Sequence, residues 1–455
     1  MGGASIYRRA ARAFARFIAP ELTRGFDAAG WRRFPREARM GRTATETIAA
    51  APQVRAKARY YYANDAHARA GVEALVTYAV GAGPMPAHAD ADAFLQWWDE
   101  CDADGRTDFG GIIAQGLRAA VIDGEVFVQF VQRPDGLRLR LLPAESVDES
   151  KSAELSNGGY IAAGVEFNAD GERVAYWIRP YIATQQFETY APPVRVDAAD
   201  VLHLMRPVGV GQVRGVSWLA PILLKLADSG LLSDALLKGF QVAAMHAGFL
   251  TDLSGAHTLP FEGEKDGDAL DVSLEPGIVR RLPAGVDIKF NNPQAAQQSV
   301  EFLTAQIEEI AAGLGVPAFM VSGNVSRANY SSLRAALITF KASLEALQWN
   351  VLVPQLLTPI WKRWALTRQL RGEGDNTGAA EWRFPAMPEA DPLKQIQAVK
   401  VALDSKLMSR AEAIAARGES IERVDADIAA DPHASTGEPG DAENDNSESE
   451  DSNAA

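Results

Sequence analysis

The sequence predicts an α+β fold, and three observations support this. Apolar residues recur at three- and four-residue spacing in blocks before residue 125 and after residue 218, the mark of amphipathic helices. Between those blocks the chain switches to short β-prone runs broken by Pro-Asp-Gly and Asp-Gly, the mark of antiparallel hairpins. Helical and strand-forming blocks are segregated along the chain, which opposes a parallel α/β sheet.

Taken in order, residues 1–55 are rich in Ala and Arg with weak periodicity, and predict a short helix followed by loops around Gly30 and Pro35. From 57 to 80, Tyr61, Ala68, Val72, Leu75, Val76 and Ala79 mark a helix that Gly81-Ala82-Gly83-Pro84 stops. Further helices are expected over 91–101 and 109–123. Strands at 125–132 and 137–142 flank Pro134-Asp135-Gly136, strands at 165–168 and 173–178 flank Asp170-Gly171, and 201–205 is a short apolar strand.

Residues 219–249 predict a helix that is apolar nearly all round, broken only by Lys225, Asp228, Asp234 and Lys238. Such a helix must be covered on most faces, and copies of the chain could supply the cover. A polar stretch follows over 251–268. Strands at 278–282 and 286–290 flank Pro283-Ala284-Gly285 as a third hairpin, and 300–314 is helical. Residues 323–329 form a polar loop whose glycine and asparagines tolerate left-handed backbone. From Ser331 onward, Leu333, Leu337, Phe340, Leu344, Leu347 and Val351 step by four and three alternately, a stripe able to pack along another helix. Pro354 and Pro359 are expected to bend or end it. Pro392 opens a helix to about residue 407, and Ser409 with Glu412 forms a capping box for a last helix ending at Gly418. Past Asp431 the chain is mostly Ser, Asp, Glu, Asn and Gly; it cannot bury a core and is expected to be disordered. There is no internal repeat.

The 455 residues suggest two or three domains, unless one elongated subunit shares its core with neighbours. The single cysteine, Cys101, excludes disulfides within the chain and fits a reducing compartment. No apolar run reaches the ~18 residues of a membrane-spanning helix, so no membrane partner is expected. The net charge of −14 opposes nucleic-acid binding at face value. That charge is polarised, however. Arg8, Arg9, Arg12, Arg16, Arg24, Arg32, Arg33, Arg36, Arg39 and Arg42 make a basic head, and Asp431, Glu438, Asp441, Glu443, Asp445, Glu448, Glu450 and Asp451 an acidic tail.

The chain carries no G-x-S-x-G elbow and no H-E-x-x-H helix. Its six histidines (67, 88, 203, 246, 257 and 433) are scattered, and none stands at ligand spacing from Cys101. His203, between Leu202 and Leu204, reads as a satisfied, partly buried residue. The glycine-rich run 209–217 lacks the lysine a phosphate loop needs, since Val216 stands in its place. It reads as a flexible loop into the helix at Trp218, with Arg214 as a candidate subunit contact. Cys101 lies beside Glu100 and Asp102, which disfavours a thiolate. Asp99 and Glu100 read as a solvated helix face. No catalytic residue, metal site or cofactor is therefore assigned; a hydrolase with an unrecognised site would need a concave pocket with perturbed titratable groups.

Several blocks, in order, carry a resemblance: Arg59-Tyr60-Tyr61-Tyr62-Ala63-Asn64-Asp65 with Val80-Gly81-Ala82-Gly83; Asp123-Gly124-Glu125-Val126-Phe127; Leu141-Leu142-Pro143-Ala144-Glu145; Val174-Ala175-Tyr176-Trp177-Ile178; Asp200-Val201-Leu202-His203-Leu204; the run from Gly211 through Arg214-Gly215 to Pro221; 310–317; and Asn329-Tyr330-Ser331-Ser332-Leu333-Arg334. Over about residues 55–425 the chain resembles the lambda-type family of bacteriophage portal proteins. The resemblance implies a non-enzymatic ring of about twelve subunits at one capsid vertex. That ring would pass double-stranded DNA during packaging and ejection, and hold the terminase large subunit and the head–tail connector protein.

The resemblance also implies a layout. A basic N-terminal segment (1–55) precedes an α/β wing (56–218). Stem helices at 219–250 and 299–316 enclose a small α/β clip (251–298). A tunnel loop (317–330), a long tunnel helix with wing return (331–384), a helical crown (385–430) and the acidic tail (431–455) follow. Asn324, Arg327, Asn329 and Arg334 would lie nearest DNA, without sequence preference. Leu333, Leu337, Phe340 and Leu344, with Arg214, would make subunit contacts. Glu262, Glu264, Lys265, Asp266 and Asp268 would face terminase and connector. Major capsid or scaffold protein is a further expected partner, with the virion as location and the bacterial host cytoplasm during assembly. A mildly acidic body suits a channel that must not grip DNA, since each phosphate neutralised adds affinity. The runner-up is another ring-forming head–tail adaptor or minor head protein.

Overall fold

The computed structural model describes residues 26–30, 40–180, 192–244, 248–250, 264–266, 269–271, 279–281, 295–326, 329–374, 378–387 and 392–431. The chain divides into two units: 1–83 with 93–379, and 84–92 with 380–455.

In the first unit a short helix, α1 (Asp27–Gly30), precedes α2 (Thr43–Asn64) and α3 (Ala66–Val80). α2 begins well before the expected position and runs across the boundary placed at residues 55 and 56. Its buried face is built from Thr47, Ala50, Ala51, Val54 and Ala58, with Glu46 and Arg55. Small and charged residues give little hydrophobic contrast, so the periodicity was too weak to announce it. Asp65 starts α3 by accepting a hydrogen bond from the Ala68 amide (2.8 Å), and Gly81, at φ +58°, ends it. β1 (Met85–Ala87) belongs to the second unit.

Helices α4 (Ala91–Trp98) and α5 (Phe109–Asp123) lead into the sheets. Phe94 lies at the centre of a ring cluster with Trp97, Trp98, Phe109, Trp361 and Trp364, at centroid separations of 5.1–6.3 Å. β2 (Glu125–Arg133) and β3 (Gly136–Leu142) form the expected hairpin. The second hairpin is β6 (Val165–Phe167) with β7 (Arg173–Ile178), in a five-stranded antiparallel sheet that also holds β4 (Ala153–Glu154), β5 (Tyr160–Ala162) and β8 (Val194–Asp197). β4, β5 and β8 are too short to show an alternation in sequence. β9 (Val201–Met205) pairs antiparallel with β2, giving the order β3-β2-β9. Phe127, Leu142, Val147, Val165, Phe167, Tyr176, Ile178 and Val201 form the core between the two sheets. The α+β prediction holds.

α6 (Leu223–Ala244) is shorter than expected at both ends. Pro221 has no amide to donate, and the chain from Leu219 to Ile222 makes a tight turn instead. At the far end Gly248–Leu250 is a strand, β10, paired parallel with β13 (Val279–Arg281), so the backbone groups there are satisfied between strands. β11 (Glu264–Asp266) pairs with β12 (Ala269–Asp271). β13 lies within the first strand of the expected third hairpin and pairs with β10; the expected second strand, 286–290, lies outside the described residues. α7 (Ala295–Leu314) follows.

A loop was expected over 317–330, but it contains α8 (Ala318–Ser322), opened by Pro317 and closed by Gly323 at φ +68°. α9 (Tyr330–Leu347) does not end at the prolines. It continues as a π-helical segment, Gln348–Leu357, and then as α10 (Thr358–Leu370). Pro354 lies inside the π-helical segment. The wider turn relieves the contact between its ring and the preceding carbonyl, and the helix survives a residue that cannot donate. Gln348 and Gln355 tie this segment down: the Gln348 amide donates to the Ala79 carbonyl (2.8 Å), and the Gln355 carbonyl accepts from the Met205 amide (2.9 Å).

In the second unit β1 pairs antiparallel with β14 (Glu381–Arg383). Three helices follow among the described residues: α11 (Pro392–Asp404), α12 (Arg410–Ala415) and α13 (Ile421–Ala430). The Ser409–Glu412 capping box opens α12 as expected. The helix ending near Gly418 is not the last, because Ser420 accepts from the Arg423 amide and starts α13. Residues 1–25 and the tail past 431 lie outside the described residues.

Candidate assembly surface and the charge network beneath it

Two glycines next to charged residues set up a densely bonded place among the described residues. Gly124 ends α5 at φ +95°, and a Cβ there would overlap the backbone of Val216. A Cβ on Gly215 would overlap the Gly124 carbonyl. Only glycine lets these two backbones touch.

Their contact buries Glu125 completely and leaves Arg214 only 1% exposed. Arg214 Nη2 lies 2.6 Å from Glu125 Oε1, with Nε at 2.8 Å. Glu125 Oε2 accepts from the Gly215 amide at 2.6 Å and lies 2.9 Å from His203 Nε2. The remaining Arg214 donors reach the carbonyls of Ala163 (2.7 Å), Ala144 (2.8 Å) and Val147 (3.3 Å). Arg55 Nη2 stands 2.7 Å from Glu149, and Arg59 forks onto Asp123 and Glu145 at 2.6–3.0 Å.

Burial by itself would raise the Glu125 carboxyl. The Arg214 charge and the His203 hydrogen bond overcome it and hold the group well below the usual carboxylate range. Burial pushes the His203 imidazole down, against the pull of Glu125, so it is neutral at pH 7. Glu125, Arg214 and Arg55 are sealed from water, while Arg59, Glu145 and Glu149 reach the surface at the rim of the network. The cluster fastens α2, α5, β2, β9 and the approach to α6 to one another. Arg214, expected at a subunit contact, is thus corrected to an internal anchor: its fork is the right shape to satisfy a carboxylate and three carbonyls together.

The charge network fastens down the root of a helix pair. A Cβ on Gly313 would strike Ile222, and one on Gly71 would strike Leu314, so α7 packs closely on the start of α6 and on α3. Ile222, Leu223, Leu226, Ile310, Ala311 and Leu314 are buried there, and Lys225 bridges to Glu309 at 2.6 Å. Away from the root the same helices expose large apolar side chains, among them Leu231 (62% exposed), Leu237, Phe240, Val300 and Phe302 (56%). No other described part of the chain covers them.

The remaining expected sites are spread out. Asn324 is exposed, its Oδ1 accepting from the Ser326 amide. Asn329 caps α9 through a reciprocal pair with Ser332 (2.8 and 3.0 Å). Arg334 is exposed on the first turns of α9, and Arg327 lies outside the described residues. Phe340 and Leu344 face their own chain and are buried, Phe340 edge-on to Tyr78 of α3 at 5.8 Å. Leu333 and Leu337 are half-buried. The later part of the α9 stripe therefore packs inward on its own chain, with Phe340 against α3. Glu264, Lys265 and Asp266 form β11, while Glu262 and Asp268 lie outside the described residues. Burial, then Asp102, pushes the Cys101 thiol far up, in line with an inert cysteine. Among the described residues no group of His, Cys, Asp or Glu is placed to hold a metal ion, and no helix is long and apolar enough to cross a membrane. Glu125 and Arg55 went unrecognised as site residues. The only local signal for Glu125 was the glycine beside it in Asp123-Gly124-Glu125; Arg55, in Val54-Arg55-Ala56, had none.

The sequence family described as phage portal protein, lambda family, matches residues 27–348. A probable portal protein of Halomonas phage phiHAP-1 is 24% identical over 342 residues; the alignment covers 71% of this chain and 65% of that protein, just under two thirds of its length. Portal protein B of Escherichia phage lambda is 23% identical over 372 residues, covering 72% of this chain and 69% of the other. Among solved structures, a chain in the neck of an empty gene transfer agent particle aligns with 79% of this chain and 91% of its own length, at 16% identity and a TM-score of 0.45.

Proposed function

The chain belongs to the lambda family of phage portal proteins, and from that premise we propose that it is the repeating subunit of a closed ring at one capsid vertex, a non-enzymatic channel for double-stranded DNA. The observation that supports this reading is the uncovered helix pair. α6 and α7 are held rigidly at one end and expose Leu231, Leu237, Phe240, Val300 and Phe302 at the other. Already about half covered, each such side chain gains on further burial roughly half of the ~1.5–3 kcal/mol that full burial brings. A ring gives every copy the same cover without leaving an open edge.

Charge supports the channel role. Duplex DNA carries one negative charge per about 1.7 Å of axis, and a bore lined with cations would hold it. A chain of net charge −14 with sparse cations on the polar loop 323–329 suits loose, sequence-independent passage. Asn324 and Arg327 are the residues proposed to meet the duplex. The strand pair at Glu264–Asp266 and Ala269–Asp271 belongs to the proposed docking face for the terminase large subunit and, later, the head–tail connector. Capsid or scaffold protein is proposed to meet the basic N-terminal segment.

Native mass spectrometry of the full-length chain, with negative-stain images of the same sample, tests the ring. Closed assemblies of about twelve copies around a central hole are expected. A monomer or dimer that persists across salt and protein concentration would overturn the proposal.

A further inference from the structure

A cyclic ring joins two different patches of each copy, so the uncovered face of one helix must meet something else on the next chain. Two exposed helix stripes have matching spacing and opposite charge. On α9, Arg334, Ile338, Lys341 and Glu345 follow one another at four, three and four residues, which puts them on one side of the helix. All four are exposed, Ile338 by 61%. On α7, Glu301, Ala305, Glu308 and Ala312 follow the same steps, and all four are exposed. Each stripe lies away from its helix's inward face, Phe340, Leu344 and Leu347 on α9 and Ile310 and Leu314 on α7. Glu309, the neighbouring carboxylate on α7, is already tied to Lys225. Arg334, Lys341, Glu301 and Glu308 make no ion pair among the described residues.

Resting on the ring reading, we infer that α9 of one copy lies along α7 of the next, with Arg334 and Lys341 against Glu301 and Glu308. The alanines make the match steric as well as electrostatic. With the helices parallel Ile338 falls opposite Ala305, and with them antiparallel it falls within one residue of it, a bulky residue over a small one, which is how ridges on one helix enter grooves on another. Glu345 then falls opposite Ala312, or beyond the pair, and meets no acidic residue of the stripe. Within one chain the like-charged residues on each stripe are seven positions apart; the α7 stripe holds no cation, and on the α9 stripe Glu345 is the one carboxylate beside two cations. Between chains every one of the four is compensated, which also fixes the partner and the register.

Charge reversal tests this without assuming which way the helices run. Arg334→Glu with Lys341→Glu makes both stripes acidic. Glu301→Lys with Glu308→Lys makes both basic. Each double variant alone should lose rings, by at least about tenfold in native mass spectra at low salt. An equimolar mixture should regain them, with the two masses in equal number, because each variant's α9 then suits the other's α7. Rings at wild-type abundance from either variant alone would overturn the inference, and so would a mixture that stays dissociated when both variants melt at the wild-type temperature. If a reversed variant melts lower, Arg334→Gln with Lys341→Gln replaces it. Its rings should come apart at about tenfold higher protein concentration than wild-type, and an unchanged threshold overturns the inference. A wild-type chain that forms no ring at all would instead sink the proposed function.

Discussion

Arg214 and Glu125, 89 residues apart in sequence, face each other at 2.6 Å with 1% and 0% of their surfaces exposed. A buried charge pair is costly to desolvate, and is retained when breaking it costs still more. Glu125→Gln strands the guanidinium in the interior and should lower stability by roughly 3–5 kcal/mol. Arg214→Lys should recover little, since an ammonium cannot reach the carboxylate and the carbonyls of Ala144 and Ala163 together. Thermal unfolding of rings at fixed protein concentration measures both. Near wild-type stability in Glu125→Gln would mean the pair is dispensable.

The same pair sets an acid sensitivity. His203 and Glu125 both titrate below their unfolded values in the fold. Below the usual histidine value of about 6.5 the unfolded chain takes up a proton that folded His203 refuses, so stability falls as pH falls. The slope is at most about 1.4 kcal/mol per pH unit for one group. Glu125 adds a second loss below about pH 4.5, as the unfolded carboxylate protonates first. His203→Gln keeps a donor for Glu125 and removes the first titration. Its melting temperature should vary less between pH 7 and 5 than that of the wild type; parallel curves would exclude His203 as the source.

Gly124→Ala combines a positive φ with an overlap on the Val216 backbone, and should cost several times what Gly171→Ala does. Gly171 has a similar φ of +82° but nothing within 4 Å of an added Cβ, so it isolates the backbone strain. Equal losses in urea unfolding would show that the close approach to Val216 contributes nothing.

On the uncovered helix pair, Phe240→Ser with Phe302→Ser should leave the fold intact and weaken assembly. Both side chains are about half exposed in the single chain and gain their cover only from a neighbour. Sedimentation should show a shift from rings to smaller species with an unchanged helical signal. A lowered melting point without that shift would place the two residues in the chain's own core instead.

Arg327→Ala should assemble normal rings and yet impair packaging, or retention of the last DNA packed, in an assay with prohead and terminase. Full packaging and full retention would remove Arg327 from the proposed channel.

Residue types and spacings alone determined the α+β class, the two main hairpins, the all-round apolar helix and the absence of recognisable catalytic motifs. Each depends on interactions within a few residues, such as alternation, helical periodicity or a capping serine, and those are written in neighbouring letters. The family was legible for a related reason: its blocks stand in the same order along the chain. Tertiary structure alone decided where those blocks meet. Asp123-Gly124-Glu125 and Arg214-Gly215 read as a strand start and a flexible loop until the two glycines bring their backbones into contact and close a charge network around them. Arg214 moved from a presumed surface to the interior, and Phe340 and Leu344 turned towards α3, because burial depends on what another part of the chain brings to that place. The prolines of the long helix, expected to bend or end it, do not end it. Gln348 and Gln355 hold a π-helical segment against Ala79 and Met205, and those tertiary bonds outweigh the local preference of Pro354 to end a helix.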